Sequence, residues 1–151
     1  MPTDSRDLRQ PLDNAIIIDM RSREWTVEFH PSCDAWAESL DQLDAEALLA
    51  AVRVLRSEGP TLGRPLVDTV VASRHPNMKE LRPGSTGRTE IRVLFAFDRQ
   101  RKAILLIGGD KSRDWRGWYR ANIPIVDDMF DEHQHAIEAA SEKLTRKGKR
   151  S

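Results

Sequence analysis

Apolar and polar residues alternate most regularly between Ile91 and Asp98. Ile91, Val93, Phe95 and Phe97 alternate with Arg92, Leu94, Ala96 and Asp98. That is the period of a strand with one face fully buried and the other only partly polar. Ala103 to Ile107 is a continuous apolar run, long enough for one strand crossing a core, and the polar residues from Asp98 to Lys102 connect the two as a hairpin. Met78 to Arg82 reads as a shorter strand closed by the turn-rich Pro83-Gly84-Ser85-Thr86-Gly87. The pattern predicts a three-stranded antiparallel meander that ends in a Gly-Gly-Asp-Lys turn. Upstream, Trp25, Val27 and Phe29 alternate with Thr26 and Glu28 as a first strand, which Pro31 ends.

Helical spacing begins at Ser32, a residue suited to cap a helix through Leu40. Asp44 can cap a second helix, whose Leu48, Leu49, Val52 and Leu55 form an amphipathic stripe. Gly59-Pro60 stops it, because glycine tolerates the left-handed conformation and proline cannot continue the helix. The two helices predict a hairpin covering one sheet face. Thr61 to Asn77, with Pro65, Pro76 and Gly63, reads as a connection. After Trp115, Trp118 and Tyr119, Ile123-Pro124 interrupts, and a last helix runs from about Ile125 to Leu144. The whole reads as an α+β domain over residues 24–144. A flexible N-terminal extension, residues 1–23, precedes it, with a short ordered piece at 16–19. A disordered basic tail, residues 145–151, follows.

With 151 residues, one domain with a modest core is expected. The single cysteine, Cys33, excludes an intramolecular disulfide framework and fits a reducing cytoplasm. No apolar run approaches the ~20 residues of a membrane helix. Ile16-Ile17-Ile18 is too short for the apolar part of a signal peptide. The net charge of zero hides a dipolar arrangement. Residues 78–120 hold eleven Lys or Arg against five Asp or Glu, and residues 24–59 hold two against eight. A local basic surface is what a phosphate backbone requires, whatever the total charge.

Candidate chemistry follows that basic surface. His133 and His135 are two apart, on different helix faces, and Asp127, Asp128, Asp131 and Glu132 read as a solvated face, so no metal site is expected. Gly109-Asp110-Lys111-Ser112 lacks the upstream glycine of a phosphate-binding loop. Cys33 reads as a packing residue beside Trp36. Lys79, Arg82, Arg92 and Lys111 lie on or at the ends of meander strands, where they can converge on one sheet face with Trp118 and Tyr119. Arginine and lysine stabilise charge on a phosphoryl transition state, and an aromatic ring can stack a base. Arg92 is expected on the face opposite the helical hairpin; the competing reading is a surface ion pair with Glu90 or Asp98.

Several segments together carry a family resemblance: Trp25-Thr-Val-Glu-Phe-His-Pro, Gly59-Pro-Thr-Leu-Gly-Arg-Pro-Leu-Val-Asp, Met78-Lys-Glu-Leu-Arg, Glu90-Ile-Arg-Val-Leu-Phe-Ala-Phe-Asp, Gly108-Gly-Asp-Lys and Trp118-Tyr-Arg-Ala-Asn-Ile-Pro. From Trp25 to His135 the chain resembles the phage Gp49-like, HigB-type branch of the RelE/ParE toxin superfamily. The resemblance implies a RelE-like fold and the toxin half of a type II toxin–antitoxin pair. Its activity would be ribosome-dependent cleavage of mRNA, without a cofactor, held in check by a helix-turn-helix antitoxin. It implies Lys79, Arg92, Lys111 and Tyr119 as catalytic residues and Arg82 as a phosphate contact; Arg88, Arg113 and Trp118 are expected beside them as further RNA contacts. The general base is left open between lysine and tyrosine. Each has an ordinary pKa near 10, so neighbouring charge would have to lower it. The ParE-like branch, which poisons DNA gyrase, and a non-catalytic module regulating its operon are the other activities this resemblance allows.

Overall fold

The computed structural model describes residues 24–84 and 87–150. The expected extension at 1–23, its piece at 16–19, and Ser85 and Thr86 of the turn after Arg82 lie outside the described residues. The chain is α+β. Strands β1 (Thr26–Phe29), β2 (Val67–Thr69), β3 (Met78–Leu81), β4 (Ile91–Phe97) and β5 (Lys102–Asp110) form one sheet in the order β1-β5-β4-β3-β2. Strands β2 to β5 pair antiparallel in succession, while β1 runs parallel to β5, with Thr26 opposite Lys102 and Phe29 opposite Leu105. The sheet is therefore larger than the expected three strands, and mixed. Its unforeseen member, β2, lies within the stretch read as a connection and is only three residues long.

The helices α1 (Pro31–Glu38) and α2 (Gln42–Glu58) follow β1. Both caps differ from expectation. His30 caps α1, its Nδ1 accepting from Ser32 N at 3.2 Å, and Pro31 takes the first helical position, where a missing N–H costs nothing. Asp41 caps α2 by accepting from Asp44 N at 2.8 Å. Asp44 itself is buried and accepts from the Thr89 hydroxyl. The inward stripe of α2 is Leu48, Ala51, Val52 and Leu55; Leu49 is 51% exposed. Gly59 ends the helix at φ +59°, with the Trp25 indole packed where a side chain would stand.

Alternation along the strands divides the core in two. Val67, Leu81, Ile91, Val93, Phe95, Ala103 and Leu105 face α1 and α2, together with Cys33, Leu48 and Leu55. Met78, Leu94, Ala96, Ile104 and Leu106 face α3 (Trp115–Arg150) and meet its Ile123, Val126 and Phe130. Burial pushes the Cys33 thiol up to about 12, with Asp34 adding to the effect, so it is an inert packing group.

Helix α3 overturns the expected break at Pro124. It is continuous from Trp115, contains Pro124, and runs on through residues 145–150, where a disordered tail is expected from composition. A proline inside a helix costs about 3 kcal/mol. Burying Ile123, Val126 and Phe130 at roughly 1.5–3 kcal/mol each outweighs that. Asn122 Nδ2 also donates to Trp118 O at 2.8 Å, just before the proline. The acidic residues of α3 are not simply a solvated face. Asp127 is buried and accepts from Ser73 and from Arg74 N, while Asp128 and Asp131 hold the Arg74 guanidinium. These bonds brace the loop between β2 and β3 against α3. His133 pairs with buried Asp98 at 2.7 Å and so ties α3 to the β4–β5 turn.

Candidate active site

Strand parity decides which charged groups meet. Residues two apart on a strand share a face, and residues three apart do not. Glu80 stands opposite Leu94, so it faces α3; Lys79 stands opposite Phe95, so it faces the helical hairpin. There Lys79 donates to the Thr69 hydroxyl at 3.1 Å. Lys79 therefore does not join Arg82, Arg92 and Lys111 on one face, contrary to the expectation. Glu80 takes its place. It is 3% exposed, and its Oε1 accepts from Arg82 Nε at 2.9 Å.

Glu80, Arg82, Lys111 and Tyr119 line one cleft of about 350 Å³. Thr69 and residues 70–72 form one wall; Trp115, Tyr119 and Ile123, from the first turns of α3, form the other. The first wall is held by the Arg74 and Ser73 bonds to α3. The second begins at Asp114, whose Oδ1 accepts from Gly117 N at 3.0 Å. Lys111 follows β5, its N–H bonded to Glu90 O, and its Nζ lies 5.8 Å from the centre of the Tyr119 ring.

Glu80 Oε2 is buried without a hydrogen-bond partner among the described residues. Tyr119 is close enough to interact with this carboxylate. Burial and then Glu80 push the Tyr119 phenol well above its ordinary value, and Arg92 and Arg82 pull it only partly back. The basic cluster therefore does not lower the phenol, as a tyrosine base would require. Tyr119 thus keeps its proton at neutral pH.

Arg92 faces α3 opposite Gly109, as its place in β4 requires. Its side chain is 13% exposed. Nη1 donates to Ile91 O at 2.8 Å, Nη2 lies 3.7 Å from Glu90 Oε1, and Nε lies 3.9 Å from Glu80 Oε1. Nε has no hydrogen-bond partner among the described residues. Asp98, the other anion considered for Arg92, is taken by His133.

The expected Gly-Gly turn is instead strand. Leu106 and Ile107 are consecutive in β5, yet both pack on the α3 side, at a bulge between the residues opposite Leu94 and Phe95. The bulge inverts the parity beyond it, so Gly109 faces α3 and Gly108 faces α1. Each glycine seats a tryptophan: a Cβ at Gly108 would lie 2.2 Å from Trp36, and one at Gly109 would lie 2.2 Å from Trp118 Nε1. Trp118 is thus a packing residue. Its edge meets Tyr119 at 5.2 Å between ring centres. Gly109→Ala is expected to displace Trp118, and Tyr119 with it, at a cost of about 1–3 kcal/mol in stability. A thermal melt and near-ultraviolet circular dichroism would register it; an unchanged aromatic spectrum would contradict this packing. Arg88 and Arg113 are exposed and line no part of the cleft.

A family model described as "Phage derived protein Gp49-like (DUF891)" matches residues 35–131. The match takes in α2, strands β2 to β5 and every residue of the cleft. The chain belongs to the Gp49-like family. Two relatives from Mycobacterium tuberculosis (strain ATCC 25618 / H37Rv) carry toxin names. The Gp49-like chain is 49% identical over 125 residues to "Putative toxin HigB2", covering 83% of its own length and 62% of that protein's. It is 50% identical over 97 residues to "Putative toxin HigB3", covering 64% and 82%. The chain thus spans less than two thirds of the HigB2 protein.

Of the cleft residues that the sequence did not point to, Glu80 and Trp115 bear most on the chemistry. Glu80 was legible in principle, because it and Arg82 are two apart on a strand while Lys79 and Arg82 are three apart. Trp115 had no such signal, since its exposure depends on where α3 begins. Among the described residues no three His, Cys, Asp or Glu side chains gather as metal ligands, and no helix is long and apolar enough to cross a membrane.

Proposed function

We propose that this Gp49-like chain is the toxin of a type II toxin–antitoxin system and a ribosome-dependent, metal-independent mRNA endoribonuclease acting in the cytoplasm. One observation carries the reading: a buried carboxylate, one oxygen of which has no close hydrogen-bond partner among the described residues, sits between cations and interacts with a protonated phenol in the same cleft. The toxin names of the two relatives support it.

In this mechanism Glu80 accepts the proton of the RNA 2′-hydroxyl. The 2′-oxygen attacks phosphorus, and the bond to the 5′-oxygen breaks, leaving a 2′,3′-cyclic phosphate. Tyr119 gives its proton to the departing 5′-oxygen. Arg82, Arg92 and Lys111 offset the charge on the phosphorane. Arg88 and Arg113, outside the cleft, act on flanking phosphates, where each weakens binding rather than chemistry when removed. Lys79 has no part at the reacting phosphate. The partner that restrains the toxin is a helix-turn-helix antitoxin from a neighbouring reading frame.

The test is expression of the chain in cells with and without that neighbour. Growth should stop without it, and primer extension should map new 5′ ends within messages. The neighbour's product should restore growth and co-purify with the chain. Growth arrest with intact messages and altered DNA supercoiling would replace this reading with gyrase poisoning.

A further inference from the structure

Resting on the ribonuclease reading of the cleft, we infer that Trp115 is the base-stacking wall of the site and that Val71 closes the slot from the opposite side. The expected stacking residue, Trp118, is committed to Gly109. The face of Tyr119 is approached by Lys111, and its edges meet two tryptophans. Trp25 and Trp36 pack against Gly59 and Gly108, both away from the cleft. Trp115 differs from all of these. It is 53% exposed, lines the cleft, and is the one exposed tryptophan among the described residues.

The opposite wall carries Val71, which is 91% exposed although apolar. Its loop is not left to wander, because Arg74 and Ser73 anchor it on α3. Two apolar groups thus line a cleft that also holds Glu80, Arg82 and Lys111. A nucleobase has this distribution: apolar faces, polar edges, and a phosphate on each side. Arg116 lies over the Trp115 ring, its guanidinium 5.0 Å from the ring centre, so a base would stack on Trp115 either against the other face or by displacing this exposed arginine. Aromatic stacking accepts any base, so the slot fixes position more than sequence.

The test uses a 2′-fluoro hexaribonucleotide of mixed sequence, which lacks the attacking hydroxyl and cannot be cut. Binding to the full chain is followed by tryptophan fluorescence and by anisotropy of a labelled probe. The wild-type protein should show quenching on binding. Trp115→Phe should keep most of the affinity and lose the quenching. Trp115→Leu should weaken binding about tenfold or more, with a melt matching wild type. Quenching that persists in Trp115→Phe, or wild-type affinity in Trp115→Leu, overturns the inference while RNA binding, and the ribonuclease reading with it, stands. Trp115→Leu that binds the probe normally but no longer co-purifies with the antitoxin also overturns it, in favour of a protein-docking role. A wild-type chain that ignores the probe overturns it as well, and mapping of cuts in cells then judges the ribonuclease reading separately.

Discussion

Glu80→Gln is expected to slow RNA cleavage by about 10²- to 10⁴-fold in a protein that still folds. Glutamine keeps the shape of the side chain and an oxygen for Arg82, but it cannot take a proton from the 2′-hydroxyl. The competing account makes Glu80 a buried counter-ion for Arg82 and Arg92, at 2.9 and 3.9 Å. On that account the loss is one of stability, up to about 3–5 kcal/mol for breaking a buried pair, and activity falls only as the fold does. Cleavage rates, with a melt on each protein, separate the two: on the first account the rate falls while the melt is kept, and on the second both fall together. Tyr119 adds a pH signature. Its phenol is raised above its ordinary value, so it remains a donor through neutral and mildly alkaline pH and causes no loss of rate below about pH 10. A folded Glu80→Gln protein that cuts at the wild-type rate would sink the mechanism.

Arg92→Ala should have the next largest effect, about 10²- to 10³-fold in cleavage, corresponding to roughly 2–4 kcal/mol of transition-state stabilisation. The guanidinium is mostly buried on a rigid strand, so a phosphate contact there is screened little by water. Its Nε makes no hydrogen bond among the described residues and has only the 3.9 Å ion pair with Glu80 to loosen on binding substrate. Arg92→Ala also leaves Glu80 with one arginine fewer and should lower the melting temperature. Arg92→Lys is therefore the informative companion. It restores the charge, and so most of the stability, without the two-pronged geometry that grips a phosphate. Stability recovered with only part of the rate supports a phosphate contact. Full recovery of both by lysine, or full toxicity of Arg92→Ala in a growth assay, reduces Arg92 to an ion pair with Glu90.

How far these residues could be read from the sequence depended on whether the signal was local. The alternation from Ile91 to Phe97 and the stripe through Leu48, Val52 and Leu55 are local and correspond to real buried faces. Leu49 was misplaced because neighbouring leucines look alike until the helix has a partner. Strand β2 is too short for any period to show. Pro124 was read as a breaker because propensity is local, whereas the burial that overrides it comes from the sheet. The bulge in β5 was illegible for the same reason: Ala103 to Ile107 is uniformly apolar, so nothing in it marks where parity inverts. At the site, composition and resemblance pointed to Arg92 and Tyr119, which the proposed mechanism keeps. Lys79 and Glu80 are one residue apart, which on a strand is the difference between two faces, and Glu80 is the one that shares a face with Arg92.

The parallel pairing of β1 with β5 also puts the molecule on a timetable. Thr26 finds its partner only at Lys102. At roughly 5–20 residues per second of synthesis, β1 waits several seconds for the strand that holds it. The cleft waits longer, because Lys111, Trp115 and Tyr119 are later still. Arg82 and Arg92 are thus made before Trp115 and Tyr119. A chain stopped short of residue 119 would carry these cations without the phenol. It would also leave Leu94, Ala96, Ile104 and Leu106 bare where α3 should cover them. Such a fragment would offer that apolar face to any protease, and on the proposed mechanism it could not cut RNA.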